Sequence, residues 1–251
     1  MTVPVAVVTG AGQGIGRAVS SRLAASGYRL ALVGRDRGKL ELLAAELEGP
    51  ALCVPADLTQ PAAAESVLDA VEAAWQAPRV LVISAGASLA APITETTDAQ
   101  WQQMIEANLT APFRCVRRVL PGMLAAGDGR IVLIASVAAK RGERLVSAYT
   151  ASKHGALGLI RAVADEVART GVTANAVCPG FVDTPMTDAS VRGVAERLGR
   201  EPGEARALLA RRQPIGRLID PDEVAAAVLA CVENGAINGQ GINVDGGAVQ
   251  S

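Results

Sequence analysis

Tyr149 and Lys153 stand four residues apart in the run Tyr149-Thr150-Ala151-Ser152-Lys153, a spacing that sets a phenol and an ammonium on one face of a helix. A cation beside a phenol favours the phenolate and lowers its pKa from about 10, so that a tyrosine can move protons near neutral pH. The chain holds only two tyrosines and three lysines, which makes this pairing more than a by-product of abundance. Ser136 lies thirteen positions before the tyrosine, at the end of a β-branched run, and its hydroxyl is placed to hydrogen-bond a substrate oxygen. The chemistry this set can do is proton transfer at an oxygen. His154 is the sole histidine, so a mechanism needing two imidazoles is excluded.

A second constellation lies near the N-terminus. Thr9-Gly10-Ala11-Gly12-Gln13-Gly14-Ile15-Gly16 joins a short apolar run, residues 3–9, to a segment with Ile15, Val19, Leu23 and Ala24 at helical spacing. Glycines at such a strand–turn–helix junction let backbone N–H groups and the positive end of the helix approach a pyrophosphate. This is the dinucleotide-binding arrangement. The ribose-reading position, about 20 residues further on, falls at Leu32-Val33-Gly34-Arg35-Asp36. Gly34 occupies the strand end and Arg35 offers a planar donor fork suited to the 2′-phosphate of NADP. Asp36 would select NAD instead if the strand ran one or two residues longer. Asp57-Leu58 and Ser84-Ala85-Gly86 close two further strands, where open sheets bind ligands. Asp57 there would meet an adenine amino group, or else cap a helix.

These sites need a frame. Strand signals recur at residues 29–33, 51–54, 80–83, 130–135 and 172–177, with helical stretches between, including 99–124 and 149–169. Strict β-α alternation predicts a parallel sheet covered on both faces, either a closed barrel or an open doubly wound sheet. The glycine turn favours the open, Rossmann-like form. With 251 residues, half of them apolar, and no linker or repeat, the chain reads as one α/β domain spanning residues 1–251. Residues 184–214, broken by prolines and glycines, read as a flap over the sheet edge that would wall a substrate site. The 24 basic and 25 acidic residues nearly cancel, which argues against a nucleic-acid partner. Cys53, Cys115, Cys178 and Cys231 show no metal-ligand spacing and read as buried thiols, so no metal is expected. Neither a signal sequence nor an apolar span of ~18 residues is evident, which predicts a cytoplasmic protein without a membrane partner.

Over nearly the whole chain the sequence resembles the short-chain dehydrogenase/reductase family. The matching marks are Thr9-Gly10-x-x-x-Gly14-x-Gly16, Asp57, Ala85-Gly86, Asn108, Ser136, Tyr149-x-x-x-Lys153 and Pro179-Gly180. The resemblance implies that Tyr149 is the general acid–base, that Ser136 orients a carbonyl, and that Lys153 both tunes the tyrosine and holds the nicotinamide ribose. It further implies a water-linked proton relay through Asn108. Pro179, Gly180, Val182 and Thr184 would line the nicotinamide, with Gln13 and Ile15 on the phosphate side. One departure is visible: many members read Asn where this chain has Ser84, whose shorter side chain lacks the usual brace between strands.

Residues 149–158, 169–186 and 214–225 look like the ketoreductases of aromatic polyketide assembly and related β-ketoacyl thioester reductases. That likeness implies NADPH-dependent reduction of a small-molecule ketone, carried on a carrier protein or coenzyme A. Lys140, Arg141 and Arg144 would then meet phosphates of that carrier, unless they are simply a solvated loop. Val146, Phe181 and Met186 are candidate pocket walls, and His154 is expected to pack within its helix. Two alternatives stay open: an NAD-dependent dehydrogenase of a 3-hydroxyacyl-CoA or a cyclic alcohol or diol, and a dinucleotide-binding regulator that turns nothing over. Apolar positions on more than one side of 99–124 and 149–169 suggest packing beyond a monomer, and the resemblance implies a homotetramer.

Overall fold

The computed structural model describes residues 3–250. Its seven strands are β1 (Val5–Thr9), β2 (Arg29–Gly34), β3 (Ala51–Pro55), β4 (Val80–Ile83), β5 (Gly129–Ile134), β6 (Val172–Pro179) and β7 (Gly241–Val244). They form one sheet in the order β3-β2-β1-β4-β5-β6-β7, and every neighbouring pair is parallel. The chain reverses direction of winding between β1 and β4, and the crevice above that switch is where an open sheet of this kind takes ligands.

Alternation along β1 divides the core in two. Val5 and Val7 point to one face, where they meet α3 (Ala63–Ala74), α5 (Ala111–Ala126) and α6 (Ser147–Glu166) through residues such as Leu68, Val119 and Ile160. Ala6 and Val8 point to the other, against α1 (Gly14–Ala25), α2 (Arg37–Glu46) and α9 (Pro221–Glu233) through Leu23, Leu43 and Val228. Strands apolar on both faces therefore lie in the middle layer of three, as the continuous apolar runs predict.

Three elements differ from the sequence reading. The expected single helix over 99–124 is α4 (Asp98–Ile105) and α5 joined by a π-helical turn, Glu106–Thr110. Such turns accommodate an extra residue and recur at functional sites. Here the turn carries the buried Asn108. The strand β7 went unread because its Ile242 and Val244 alternate with Gly241 and Asn243 at the half-buried sheet edge. The strand β6 runs two residues past the expected end, through Cys178 and Pro179, because both pair with β7. Residues 184–214 do form two helices, α7 (Pro185–Leu198) and α8 (Pro202–Arg211), which share a small core of Val191, Ala195, Ala205 and Leu209.

All four cysteines are free thiols, but Cys53 is half-exposed on β3 rather than buried. His154 also departs from expectation: it lies exposed on α6, its Nδ1 2.9 Å from the Thr150 carbonyl. Among the described residues no helix is long and apolar enough to cross a membrane.

Candidate active site

The junction from β1 to α1 is built around its glycines. Gly10 has φ of +67°, and a Cβ there would come within 2.8 Å of the Ala85 nitrogen, so only glycine lets this turn lie against the end of β4. A Cβ on Gly16 would collide with the Gly10 carbonyl. Gln13 precedes α1 without capping it, and the first turn carries no acidic side chain. The leading N–H groups of a twelve-residue helix thus face the cleft uncapped by side chains.

From this turn a cleft of about 750 Å³ runs across the carboxyl ends of β1 to β4. Gly10, Gln13, Gly14, Ile15, Arg35, Asp57, Leu58, Ala85, Gly86 and Thr184, ten of the residues expected to hold a dinucleotide, line it. It opens into a smaller recess of about 90 Å³ lined by Asn108, Ser136, Tyr149, Lys153, Pro179, Gly180 and Val182. Gly16 lies buried beneath the turn and shapes it from below.

Within the cleft, Asp57 does not cap a helix, since α3 begins at Ala63 after Ala62. Its Oδ1 accepts from the Thr59 hydroxyl at 2.8 Å and the Thr59 amide at 3.1 Å. These hydrogen bonds, helped by the Arg35 charge, hold its carboxyl below the usual aspartate range. The β2 strand ends at Gly34, and Asp36 is the N-cap of α2, its Oδ1 accepting the Lys39 amide at 3.2 Å. Asp36 thus caps the helix with one oxygen and also lines the cleft. Thr9 supplies the brace that Ser84 lacks: its hydroxyl accepts from the amides of Ser84 and Ala85, both at 3.1 Å.

In the recess, α6 carries Tyr149 and Lys153 to the exit of β5, where Ser136 sits. Ser136 and Tyr149 line the recess together, and the Ser136 Oγ accepts from the Ala138 amide at 3.1 Å. Lys153 is buried, and its Nζ donates to the Ile134 carbonyl at 2.9 Å while lying 5.7 Å from the Tyr149 ring centre. Burial brings the ammonium down to about 8. The expected acidification of the tyrosine is not what this arrangement gives. Burial pushes Tyr149 up, Ser136 pulls it down, and the charge of Glu143 adds to the rise. Desolvation of the buried phenol is the largest of these influences.

Asn108 is wholly buried, and its amide clamps the turn after β4 in both directions: Nδ2 donates to the Ala87 carbonyl at 2.9 Å and Oδ1 accepts the Ala87 amide at 3.0 Å. Nδ2 also reaches the Ser152 hydroxyl at 3.2 Å, one residue before Lys153. A Cβ on Gly86 would lie 2.8 Å from Asn108 Oδ1 and 3.6 Å from Lys153 Nζ, so the missing side chain keeps open the passage between cleft and recess. The cradle therefore fits a nicotinamide dinucleotide: uncapped helix amides, a side-chain-free turn and a continuous trough ending at a hydroxyl pair.

The expected pocket walls are only partly realised. Met186 lines both cleft and recess. Phe181 instead packs into the α7–α8 core, with the Arg212 guanidinium 5.4 Å above its ring. Val146 precedes α6 and accepts the Thr150 amide at 2.7 Å, outside the lining of either space. Nor do Lys140 and Arg141 reach toward a carrier. Lys140 Nζ donates to the Gly241 carbonyl at 2.6 Å and Arg141 to the Ala248 carbonyl at 2.9 Å, so both tie down the C-terminal segment. Arg144 alone of the three is exposed.

Three residues that sequence reasoning missed support the site. Glu143, mostly buried, pairs with Arg212 at the end of α8 and with Arg141 at 3.7 Å, joining the α7–α8 unit to the loop before Tyr149. Gln213 is buried and clamps Phe181: its Oε1 accepts the Phe181 amide at 2.8 Å, and its Nε2 donates to the Phe181 carbonyl at 3.2 Å and the Arg217 carbonyl at 2.6 Å. Lys39 enters the cleft from α2. Its scarcity was the one available signal.

The family profile described as short chain dehydrogenase matches residues 4–194. This chain belongs to that family. Among its relatives, the protein named ketoacyl reductase 1 of the granaticin polyketide synthase, from Streptomyces violaceoruber, is 40% identical over 97% of this chain and 92% of its own. The D-beta-hydroxybutyrate dehydrogenase of Cupriavidus necator is 35% identical over 97% of both chains. A crystal structure of a variant actinorhodin polyketide ketoreductase with NADPH superposes with a TM-score of 0.93 at 36% identity, covering 98% of this chain and 97% of the other.

Proposed function

We propose that this short-chain dehydrogenase uses NADPH to reduce a β-ketoacyl thioester, or a similarly activated ketone, to the alcohol. The observation that carries the reading is the gathering of Ser136, Tyr149 and buried Lys153 in one recess, at the end of a dinucleotide-shaped cleft whose ribose end offers Arg35 just beyond β2. The ketoreductase names of the relatives and the NADPH in the neighbouring structure support it.

In this reading the chemistry that a nicotinamide would supply when bound is a hydride for the carbonyl carbon. Tyr149 gives a proton to the carbonyl oxygen, and the two together complete the alcohol. A tyrosine whose pKa is raised by burial stays protonated, which is the form a reductase needs at the start of each turnover. Ser136, its Oγ fixed by the Ala138 amide and placed in the recess with Tyr149, holds the carbonyl oxygen beside the phenol. Lys153 holds the ribose and steadies the phenolate after proton transfer. Asn108 keeps the Gly86–Ala87 turn and Ser152 in register, and with Lys153 forms the route by which solvent returns a proton. Gly10, Gln13, Gly14, Ile15 and Gly16 would hold the pyrophosphate, Asp57, Leu58, Ala85 and Gly86 the adenosine, and Pro179, Gly180, Val182 and Thr184 the nicotinamide. The 184–214 segment walls the substrate through Met186. A homotetramer accords with the exposed Trp101 and Phe113 on α4 and α5.

A cofactor-coupled screen of ketones and β-ketoacyl thioesters tests this. Turnover with NADPH, reduced by roughly 10²–10⁴-fold in Tyr149→Phe, is expected. Oxidation of 3-hydroxyacids with NAD, and no ketone reduced with NADPH, would overturn it.

A further inference from the structure

Two cations flank the ribose end of the cleft, and only one of them was legible as a cofactor ligand. Arg35 and Lys39 lie on either side of Asp36, both exposed and both lining the cleft beyond Gly34. Arg35 serves the β3 side, where its charge reaches Asp57. Lys39 serves the opposite wall. Its Nζ donates to Oε1 of Gln13 at 3.1 Å, and its Cβ lies so near the glycine turn that a Cβ on Gly12 would touch it at 3.1 Å. The ammonium therefore hangs beside the residue that precedes α1, although that residue is itself uncharged. Asp36, the carboxylate between the two cations, caps α2 through Oδ1 and holds Oδ2 3.9 Å from Lys39 Nζ.

We propose that Lys39, held over the cleft by Gln13, is a specificity-determining residue that reads the 2′-phosphate of NADPH together with Arg35. The inference rests on the NADPH reading above. A phosphate monoester at the end of β2 would meet a planar guanidinium on one side and a point-charge ammonium on the other, two complementary ways of binding its oxygens. The Gln13 hydrogen bond restricts the lysine beforehand, so fewer rotamers are lost when the phosphate arrives. NADH presents a hydroxyl at that position. A neutral hydroxyl offers Lys39 no charge to neutralise, and Lys39 itself lies 3.9 Å from Oδ2 of Asp36.

The test is direct binding of NADPH and NADH to the full-length protein, followed by nicotinamide fluorescence, which needs no turnover. Lys39→Gln is expected to weaken NADPH about tenfold, the loss of one charge-assisted contact, while leaving NADH within about twofold. Lys39→Arg should retain most of the preference, and Gln13→Ala, which keeps the charge but frees it, should fall between. The NADPH dissociation constant of the parent should also rise more steeply with salt than that of Lys39→Gln. If Lys39→Gln keeps the parent's NADPH-to-NADH ratio, or weakens both cofactors equally, the role of Lys39 is wrong and the NADPH reading stands. If the parent itself binds NADH as tightly as NADPH, that reading falls, and this inference with it.

Discussion

Lys153 points its ammonium at the carbonyl of Ile134, 2.9 Å away, the last residue of β5 and two positions before Ser136. One hydrogen bond to an uncharged carbonyl does not offset complete burial, and the group settles at about 8. Because the depressed group is a base, its charge is present below that value and lost above it. Tyr149, raised by burial, keeps its proton across the same range. Ketone reduction, followed as kcat/KM from about pH 6 to about pH 10, is therefore expected to fall as pH rises through about 8, with the lysine and not the tyrosine setting the limb. A profile flat across that range would show that the ammonium is not needed.

What could be read in advance divides by sequence distance. The turn of Gly10, Gly14 and Gly16 and the pair of Tyr149 and Lys153 are local patterns, whose geometry follows from a single turn or one helix face, and the structure brings both to one cleft. Asn108 was legible only through family likeness, because the π-helical turn that aims it inward has no periodic signature. Lys39 meets Gln13 across 26 residues and Gln213 meets Phe181 across 32, contacts that no spacing rule anticipates. Phe181 was misplaced for the same reason: its ring has a second apolar destination in the α7–α8 core.

Gln213 offers the plainest measure of how firmly that unit is fastened. Its amide satisfies the Phe181 N–H and two carbonyls in a space closed to water. Gln213→Leu keeps the bulk but leaves those backbone groups unpaired, at a cost of about 1–3 kcal/mol. In a chain of this size each kcal/mol moves Tm by about 2–4 °C. Thermal unfolding should thus fall by several degrees, and KM for the ketone should rise more than kcat falls, since Phe181 follows the Pro179–Gly180 wall of the recess. An unchanged Tm would mean that water replaces the amide.

Asn108 makes a sharper case, because its two amide atoms do opposite things. Oδ1 accepts from Ala87 while Nδ2 donates to Ala87 and Ser152. In Asn108→Asp, a carboxylate keeps the first contact and sets its other oxygen against the Ala87 carbonyl, with no water to separate them. A protonated acid, by contrast, donates to that carbonyl as the amide did. Its folded-state pKa must then lie above the unfolded value of about 3.9, so the folded protein binds the extra proton between the two. Stability of the variant is consequently expected to decline as pH rises from about 5 to about 8, relative to the parent over the same range. Thermal melts of both proteins across that interval decide the point. A constant difference in Tm would show that the aspartate has turned out to solvent and that the π-helical turn tolerates losing the clamp.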